Sequence, residues 1–458
     1  MRMVSPDFPD APRPFRLRFL LNPRYVANRL RSLRSPRDLA SRVRLLAVYA
    51  RDSFLIPPVT AAREKAGELR QEALWRLYLL GLRFRGLGRR RIEGPTPRLY
   101  CSKPFECLEV HEEGRAYLCC PRWLPVAAGE LATAGVREIW NGARAREIRR
   151  SILDGSFRYC DREACPWLAG RSGPVSRLED VRSPALRLAI RKNSDRLPRG
   201  PREINAAFDR SCNLSCPSCR SSVIVETGKR ERLRALRETI EREALPDADL
   251  LYITGSGDPF GSPFFREWLR GLNRDRAGGL KAVRLHSNGL LWTREAWEGL
   301  PVSVRALIAS AEISIDAATP ETYAENRRGG SFERLLENLR FIGGLRRSGA
   351  LRSLDFSMVV QENNFAQMPD FARLGRRFGA DRVFFGRLEN WGTFSAAEYS
   401  RRAVHRPEHP RNRELRNVLA EPILAEPFVR LGNLAGLPAA AAAVAAFAAV
   451  ARMSDTPP

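Results

Sequence analysis

Lysine is scarce in this chain of 458 residues: only Lys65, Lys103, Lys192, Lys229 and Lys281 stand among 77 basic side chains. The formal net charge of +25 is therefore almost wholly arginine, a skew expected from genome composition rather than from a nucleic-acid surface. Cysteine is absent from both terminal regions. All nine lie between Cys101 and Cys219, which argues against a disulfide framework and for ligation in a reducing cytosol. The opening Met-Arg-Met-Val-Ser-Pro-Asp lacks the apolar core of a signal peptide. Only residues 434–451 run uncharged for long, but they are mostly alanine with Gly436 and Pro438, so a terminal helix is expected and not a membrane span. No internal repeat is visible, and the alanine tail is the one low-complexity tract.

The length suits two or three domains with a large core. Residues 1–100 carry 21 Arg and one Lys against eight acids, over half of the net charge. Residues 1–97 read as a basic helical leader, with helical spacing over 42–49 and 68–84 and a linker-like run from Gly86 to Pro97. This leader is read as a solvated, arginine-rich face, with contact to an anionic partner as the alternative.

The chemistry concentrates in Cys212, Cys216 and Cys219, a CxxxCxxC loop after the strand-like run 203–208. Three thiols so close together suit one multinuclear iron–sulfur cluster with one iron left open. A closed zinc site needs a fourth ligand, and no cysteine follows Cys219; zinc or a structural thiol cluster is the competing reading. The spacing resembles the radical S-adenosylmethionine (SAM) superfamily. That resemblance implies a [4Fe-4S] cluster whose open iron chelates the amino and carboxylate groups of SAM, and whose electron releases a 5′-deoxyadenosyl radical.

Cys101, twelve residues, Gly114, four residues, Cys119 resembles the opening of the SPASM/twitch auxiliary-cluster domains. The run 108–118 reads as a hairpin returning Cys119 toward Cys101. A helix over 136–153 would bring Cys160 and Cys165 to the same point. Those four cysteines would close an auxiliary [4Fe-4S] cluster, with four-thiolate zinc as the alternative. Cys107 is read as a packed thiol, and Cys119 is preferred over its neighbour Cys120. In the family this block usually follows the radical SAM domain; here it precedes it.

From residue 202, strands expected at 203–208, 250–254, 282–286, 312–315, 355–360 and 382–386 alternate with helices at 230–243, 264–272, 332–346 and 368–378. The alternation implies a parallel sheet with right-handed crossovers, matching the α/β partial (β/α)6 TIM-like barrel of radical SAM enzymes. The expected plan is thus the leader at 1–97, the auxiliary domain at 98–170 and a linker at 171–200. The barrel follows at 201–395, and a helical extension with its alanine tail at 396–458.

The second strand ends Thr254-Gly255-Ser256-Gly257-Asp258, resembling the family's GGE(P) motif, with Asp258 in place of glutamate. The resemblance implies that Gly255, Ser256, Gly257 and Asp258 bind the SAM amino group, Ser314 the ribose and Arg328 the carboxylate. His286-Ser287-Asn288-Gly289 is similar to the family's S/T-N-G turn and is read equally as an ordinary turn. Gln361, Asn363 and Asn364 are candidates for ribose or substrate, and residues 387–392 form a polar rim. Ser218 stands where the family often has an aromatic beside adenine. No acid–base catalyst is singled out.

The leading function is hydrogen abstraction by a radical SAM enzyme acting on a peptide or protein, served by a donor such as flavodoxin or ferredoxin. A sugar- or aminocyclitol-type substrate is the alternative. From another class comes a non-catalytic zinc or iron–sulfur module docking nucleic acid; neither nucleic acid nor membrane is the expected partner.

Overall fold

A computed structural model describes residues 99–437, apart from 163, 171 and 273–277. The leader helices at 42–49 and 68–84, and the alanine tail from 438 onward, lie outside the described residues.

The strands, in chain order, are β1 Leu99–Cys101, β2 Cys107–Val110, β3 Arg115–Tyr117, β4 Gly129–Glu130, β5 Val175–Arg177 and β6 Glu203–Ala206. Then follow β7 Leu250–Ile253, β8 Ala282–Ser287, β9 Ile308–Ser314, β10 Ser353–Val360, β11 Arg382–Arg387 and β12 Val429–Arg430. Ten of them form one sheet in the order β12-β11-β10-β9-β8-β7-β6-β2-β3-β4. All pairings from β6 to β12 are parallel, as the strand–helix alternation requires. The sheet ends at β12 and β4, so the barrel is partial.

Side-chain parity explains why it curls. In β8, Val283, Leu285 and Ser287 are buried while Arg284 and His286 are half-buried; β9 alternates in the same sense. The buried side packs under helices whose apolar residues recur every three or four positions: Leu233, Leu236 and Ile240 on Arg230–Glu243, Leu335, Leu339 and Ile342 on Phe332–Arg347. Each fully buried aliphatic side chain contributes about 1.5–3 kcal/mol. Several of these helices start at a hydroxyl cap: Ser262, Thr293, Thr319, Ser331 and Ser395 each accept from the backbone N–H three residues on.

The other side of the sheet is polar. His286, Glu312, Asp355 and Arg382 stand in register across β8 to β11. Arg284 bridges Glu312 at 2.8 Å and Asp355 at 3.1 Å, so this charged row is internally neutralised.

The cysteine-rich segment does not fold as a separate layer. β2 pairs in parallel with β6, Cys107 opposite Glu203 and Val110 opposite Ala206. The expected hairpin forms between β2 and β3, its turn made by Glu113 (φ 62°) and Gly114 (φ 77°) in the left-handed region. Past β3, Arg122 Nε donates to Glu389 at 2.9 Å, just beyond β11. Asn433 Nδ2 donates to the Ala164 carbonyl at 3.3 Å. The segment thus starts on one flank of the open barrel and reaches across to the other.

Three expectations are revised. The helix read over 136–153 is two, Val136–Asn141 and Ala143–Leu153, broken at Gly142, whose extended backbone (ψ 165°) interrupts the ladder. The 171–200 connection is ordered: β5 pairs antiparallel with β1, and Pro184–Lys192 is a helix capped by Ser183. After residue 396 the helices Ala396–Arg402 and Asn412–Val418 lead into β12, which extends the barrel sheet.

Candidate functional site

The carboxyl ends of the parallel strands converge on one edge, and the loops there carry the sequence-derived candidates. Cys212, Cys216 and Cys219 follow β6 as free thiols. Asp209, fully buried, organises the loop entrance: its carboxylate accepts from Ser211 N at 2.9 Å and Ser211 Oγ at 2.7 Å, and also from Ser262 Oγ. Backbone bonds from Cys212 N to Ile224 O (2.8 Å) and Ser215 N to Arg328 O (3.1 Å) fix the rest.

Each of the three sulfurs has its own N–H donor. Asn288 Nδ2 lies 3.7 Å from Cys212 Sγ, Arg327 Nη1 3.8 Å from Cys216 Sγ and Arg220 Nη2 3.3 Å from Cys219 Sγ. Burial, with the Asp258 charge beside it, pushes the Cys212 thiol up to about 11. Burial raises Cys216 too, while Arg327 pulls it back. Thiols in this setting need a cation to become thiolates, and iron supplies one.

Glycines bring the 254–257 turn onto that loop. A Cβ at Gly257 would sit 2.4 Å from the Asp209 carbonyl oxygen and 2.7 Å from that of Ser211, so only glycine fits. Thr254 Oγ1 accepts from Gly255 N at 2.6 Å, Ser256 N at 3.1 Å and Gly257 N at 3.3 Å. The Ser256 hydroxyl donates to the Ala207 carbonyl, and the Ser256 carbonyl accepts from Arg220 at 2.5 Å.

Asp258 is engaged differently from the resemblance. Its two oxygens accept from Phe260 N (2.9 Å), Gly261 N (2.8 Å), Ser287 Oγ (2.8 Å) and Asn288 N (2.8 Å). Those four donors fill a carboxylate's capacity. In this structure Asp258 ties the β7 and β8 loops together and has no lone pair left for an ammonium group.

Arg328 is likewise turned away. It is exposed and straps the outside of the cysteine loop, Nε to Ser215 Oγ at 3.1 Å and Nη2 to Ser221 O at 3.0 Å. Its neighbour Arg327 points inward. Asn363 spends its amide on Asn326, donating at 2.9 Å and accepting at 3.3 Å. Ser314 lies at the end of β9 in a polar chain: its Oγ is 2.6 Å from His286 Nε2 and 3.2 Å from Ser357 Oγ, and His286 Nδ1 is 2.8 Å from the Tyr252 hydroxyl.

The second cysteine group forms from β1, β2, the end of β3 and the segment after Ala143–Leu153. Cys101, Cys119, Cys160 and Cys165 lie near enough to feel one another: Cys101 interacts with Cys119, Cys160 and Cys165. Cys107 and Cys120 belong to the same neighbourhood, both interacting with Cys119. Burial pushes Cys101 up to about 12 and raises the other five. Cys101, Cys120 and Cys165 accept backbone N–H groups, whereas Cys119 accepts the Trp123 indole N–H at 3.3 Å. Among the described residues no three His, Cys, Asp or Glu side chains close around a single metal ion. A multinuclear cluster spans its thiols more widely than one ion does.

Sequence reasoning missed Asp209, Arg220 and Arg327 as neighbours of the first cysteine trio. Arg220 directly follows Cys219 and Arg327 stands beside the expected Arg328, so adjacency was the only signal.

Residues 208–375 match the radical SAM superfamily, and residues 101–166 match the SPASM iron–sulfur cluster-binding domain. The chain therefore carries a radical SAM domain, with a SPASM-type domain ahead of it in sequence. The radical SAM domain implies a [4Fe-4S] cluster with SAM, and the SPASM domain implies auxiliary iron–sulfur ligation.

Among its relatives is mycofactocin maturase MftC of Mycobacterium tuberculosis, 30% identical over 178 residues, 37% of this chain and 40% of the relative. The GTP 3′,8-cyclase of Peptoclostridium acidaminophilum is 30% identical over 134 residues, 28% of this chain and 38% of the relative. The chain thus spans about two fifths of the length of the curated relatives it matches. Among solved structures, Streptococcus suis SuiB bound to its precursor peptide SuiA is 14% identical at a TM-score of 0.32, covering 55% of each chain. The anSMEcpe structure with AdoMet and a peptide is 19% identical at a TM-score of 0.31, covering 41% of this chain and 51% of that one.

Proposed function

We propose that this protein is a radical SAM enzyme that modifies a peptide or protein by hydrogen abstraction, with an auxiliary iron–sulfur cluster held by the SPASM-type segment. The observation that carries this reading is the loop after β6, where three thiols sit together and each sulfur has a separate N–H donor. The residues fit the group on a second count: the Arg327 Nε and Tyr323 hydroxyl, buried beside Cys216, have no partner among the described residues.

When bound, the cluster supplies the one electron that splits SAM into methionine and a 5′-deoxyadenosyl radical. Cys212, Cys216 and Cys219 hold it, and Asp209, Gly257 and Asp258 keep their loop and its neighbours in place. Cys101, Cys119, Cys160 and Cys165 hold the auxiliary cluster, with Cys120 the alternative to Cys119. Gly255, Ser256 and Gly257 offer backbone to SAM, and Ser314, at the end of the Tyr252–His286 chain, faces its ribose. The Arg122–Glu389 contact ties the auxiliary segment to the loop after β11. A maturase among the relatives favours a peptide or protein substrate; a GTP cyclase among them keeps a small-molecule substrate as the second reading. Among the described residues no helix is long and apolar enough to cross a membrane. The free thiols suit a reducing cytosol, where a flavodoxin- or ferredoxin-class donor is expected.

Anaerobic reconstitution tests the reading. About eight irons per chain, with 5′-deoxyadenosine formed only when SAM and reductant are present, is the expected result. Tightly held zinc without SAM cleavage overturns it.

A further inference from the structure

Arg327 and Arg328 follow the helix Pro320–Asn326 and part company there. Arg328 lies on the surface. Arg327 turns inward, its side chain 12% exposed, with Nη2 at 2.9 Å from Asp316 Oδ2 and Nη1 at 3.8 Å from Cys216 Sγ. Asp316 is itself fixed: Oδ1 accepts from Val359 N at 2.7 Å, and Asn326 and Asn364 both donate to its carbonyl at 3.0 Å. Its backbone takes the left-handed region (φ 62°), which Asp tolerates better than most residues. Carboxylate, guanidinium and thiol therefore run in line from the end of β9 to the cysteine loop.

A second observation points to an absent acceptor. Arg327 Nε has no partner among the described residues, and neither has the hydroxyl of Tyr323, which interacts with both Arg327 and Cys216. Buried donors of this kind call for an acceptor, and sulfur-bound negative charge at Cys216 provides one.

We infer that Arg327, anchored by Asp316, is a positioning residue that sets the reduction potential of the first iron–sulfur cluster. The inference rests on the cluster assignment proposed above. The cluster takes one electron from an external low-potential donor and becomes one unit more negative, with no bond made or broken. A fixed cation against one of its three thiolates favours that more negative state, so removing the cation makes reduction harder.

The test is an EPR-monitored redox titration of the reconstituted full chain without SAM, with iron counted for each variant. Auxiliary-cluster signal is removed by carrying every variant on Cys160→Ala. Arg327→Gln is expected to lower the reduced fraction at fixed potential about tenfold, a shift of about 59 mV to the negative side, with iron content retained. Arg328→Gln, the same charge removed from the exposed neighbour, shifts it far less, and Arg327→Lys recovers part of the difference. A full-iron Arg327→Gln protein titrating with the parent overturns the inference while leaving the cluster assignment standing. If Arg327→Gln loses iron, Asp316→Asn decides: it frees the guanidinium without deleting it, and an unshifted potential there overturns the inference. A parent that binds no cluster overturns the assignment itself.

Discussion

The two cysteine groups of this protein are met by different hydrogen-bond donors. After β6, three thiols meet two guanidinium groups and a carboxamide, each N–H within 3.8 Å of its own sulfur. In the SPASM-type segment six thiols share one neighbourhood, Cys107, Cys119 and Cys120 beside Glu109, and their N–H donors come mainly from backbone and an indole. Lys103 sits beside Cys107 but is bound to Glu203, and Arg122 is bound to Glu389. Carboxylates stand beside both groups, Asp258 and Asp316 at the first and Glu109 at the second, so the difference lies in the donors. Two of the three donors at the first site are charged, and those at the second are mainly neutral.

The largest expected effect breaks the pair apart. Cys216→Ala should abolish 5′-deoxyadenosine formation, while Cys160→Ala spares much of it; each should lose about four irons. Equal loss of SAM cleavage in both would erase the distinction between the sites.

Arg149 gives a milder lever on the auxiliary side. Fully buried, it stacks 4.2 Å from the Trp140 ring and donates to the Pro104 carbonyl at 2.8 Å, holding the chain between Cys101 and Cys107. Arg149→Ala should cost about 2–4 kcal/mol, read by urea denaturation, and remove auxiliary iron first. Gly257→Ala is the mirror experiment. It forces a methyl against two loop carbonyls, and about 1–3 kcal/mol is expected, with iron lost first from the site after β6. If the two variants lose the same iron, the sites are not independently supported.

Acid should discriminate least. In the barrel, Arg346 hydrogen-bonds Asp381 and holds its carboxyl below the usual range; in the connection after the auxiliary segment, Asp195 is lowered against burial by Arg146 and Arg150 of that segment. Because both values are depressed, each contribution is present above the ordinary aspartate pKa of about 3.9 and is lost as pH falls through the folded value. These are partly exposed pairs, so Asp381→Asn and Asp195→Asn should each cost under about 1 kcal/mol at pH 7. The difference from the parent should shrink toward pH 3 in denaturation curves.

Much of this was legible in the chain. Runs such as 355–360 and 382–386 are rich in Val and Phe, and β10 and β11 lie there. β9 starts at Ile308 rather than residue 312, because Ala309, Ser310 and Ala311 carry little strand signal and are held by pairing with β8. The break at Gly142 was hidden inside a helical pattern that a single glycine does not always interrupt. The pairing of β2 with β6 was not legible, since it joins segments almost a hundred residues apart by backbone bonds that no side chain announces. At the site, CxxxCxxC marked its loop directly. The inward turn of Arg327 was invisible because Gly329 (φ 93°), two residues later, sets the path of the turn while composition treats the two arginines alike. Asp258 looked like a ligand by position; its four donors come from two separate stretches, 260–261 and 287–288, that only folding assembles.

The seam between β2 and β6 has a practical corollary for anyone dissecting the molecule. Cutting the chain near residue 200 would not release a tidy catalytic core, because β6 would lose β2, one of its two partners, and bare a row of unmet amides and carbonyls beside Ile204. Such a fragment should clump rather than fold cleanly, so the two halves are best handled as one piece.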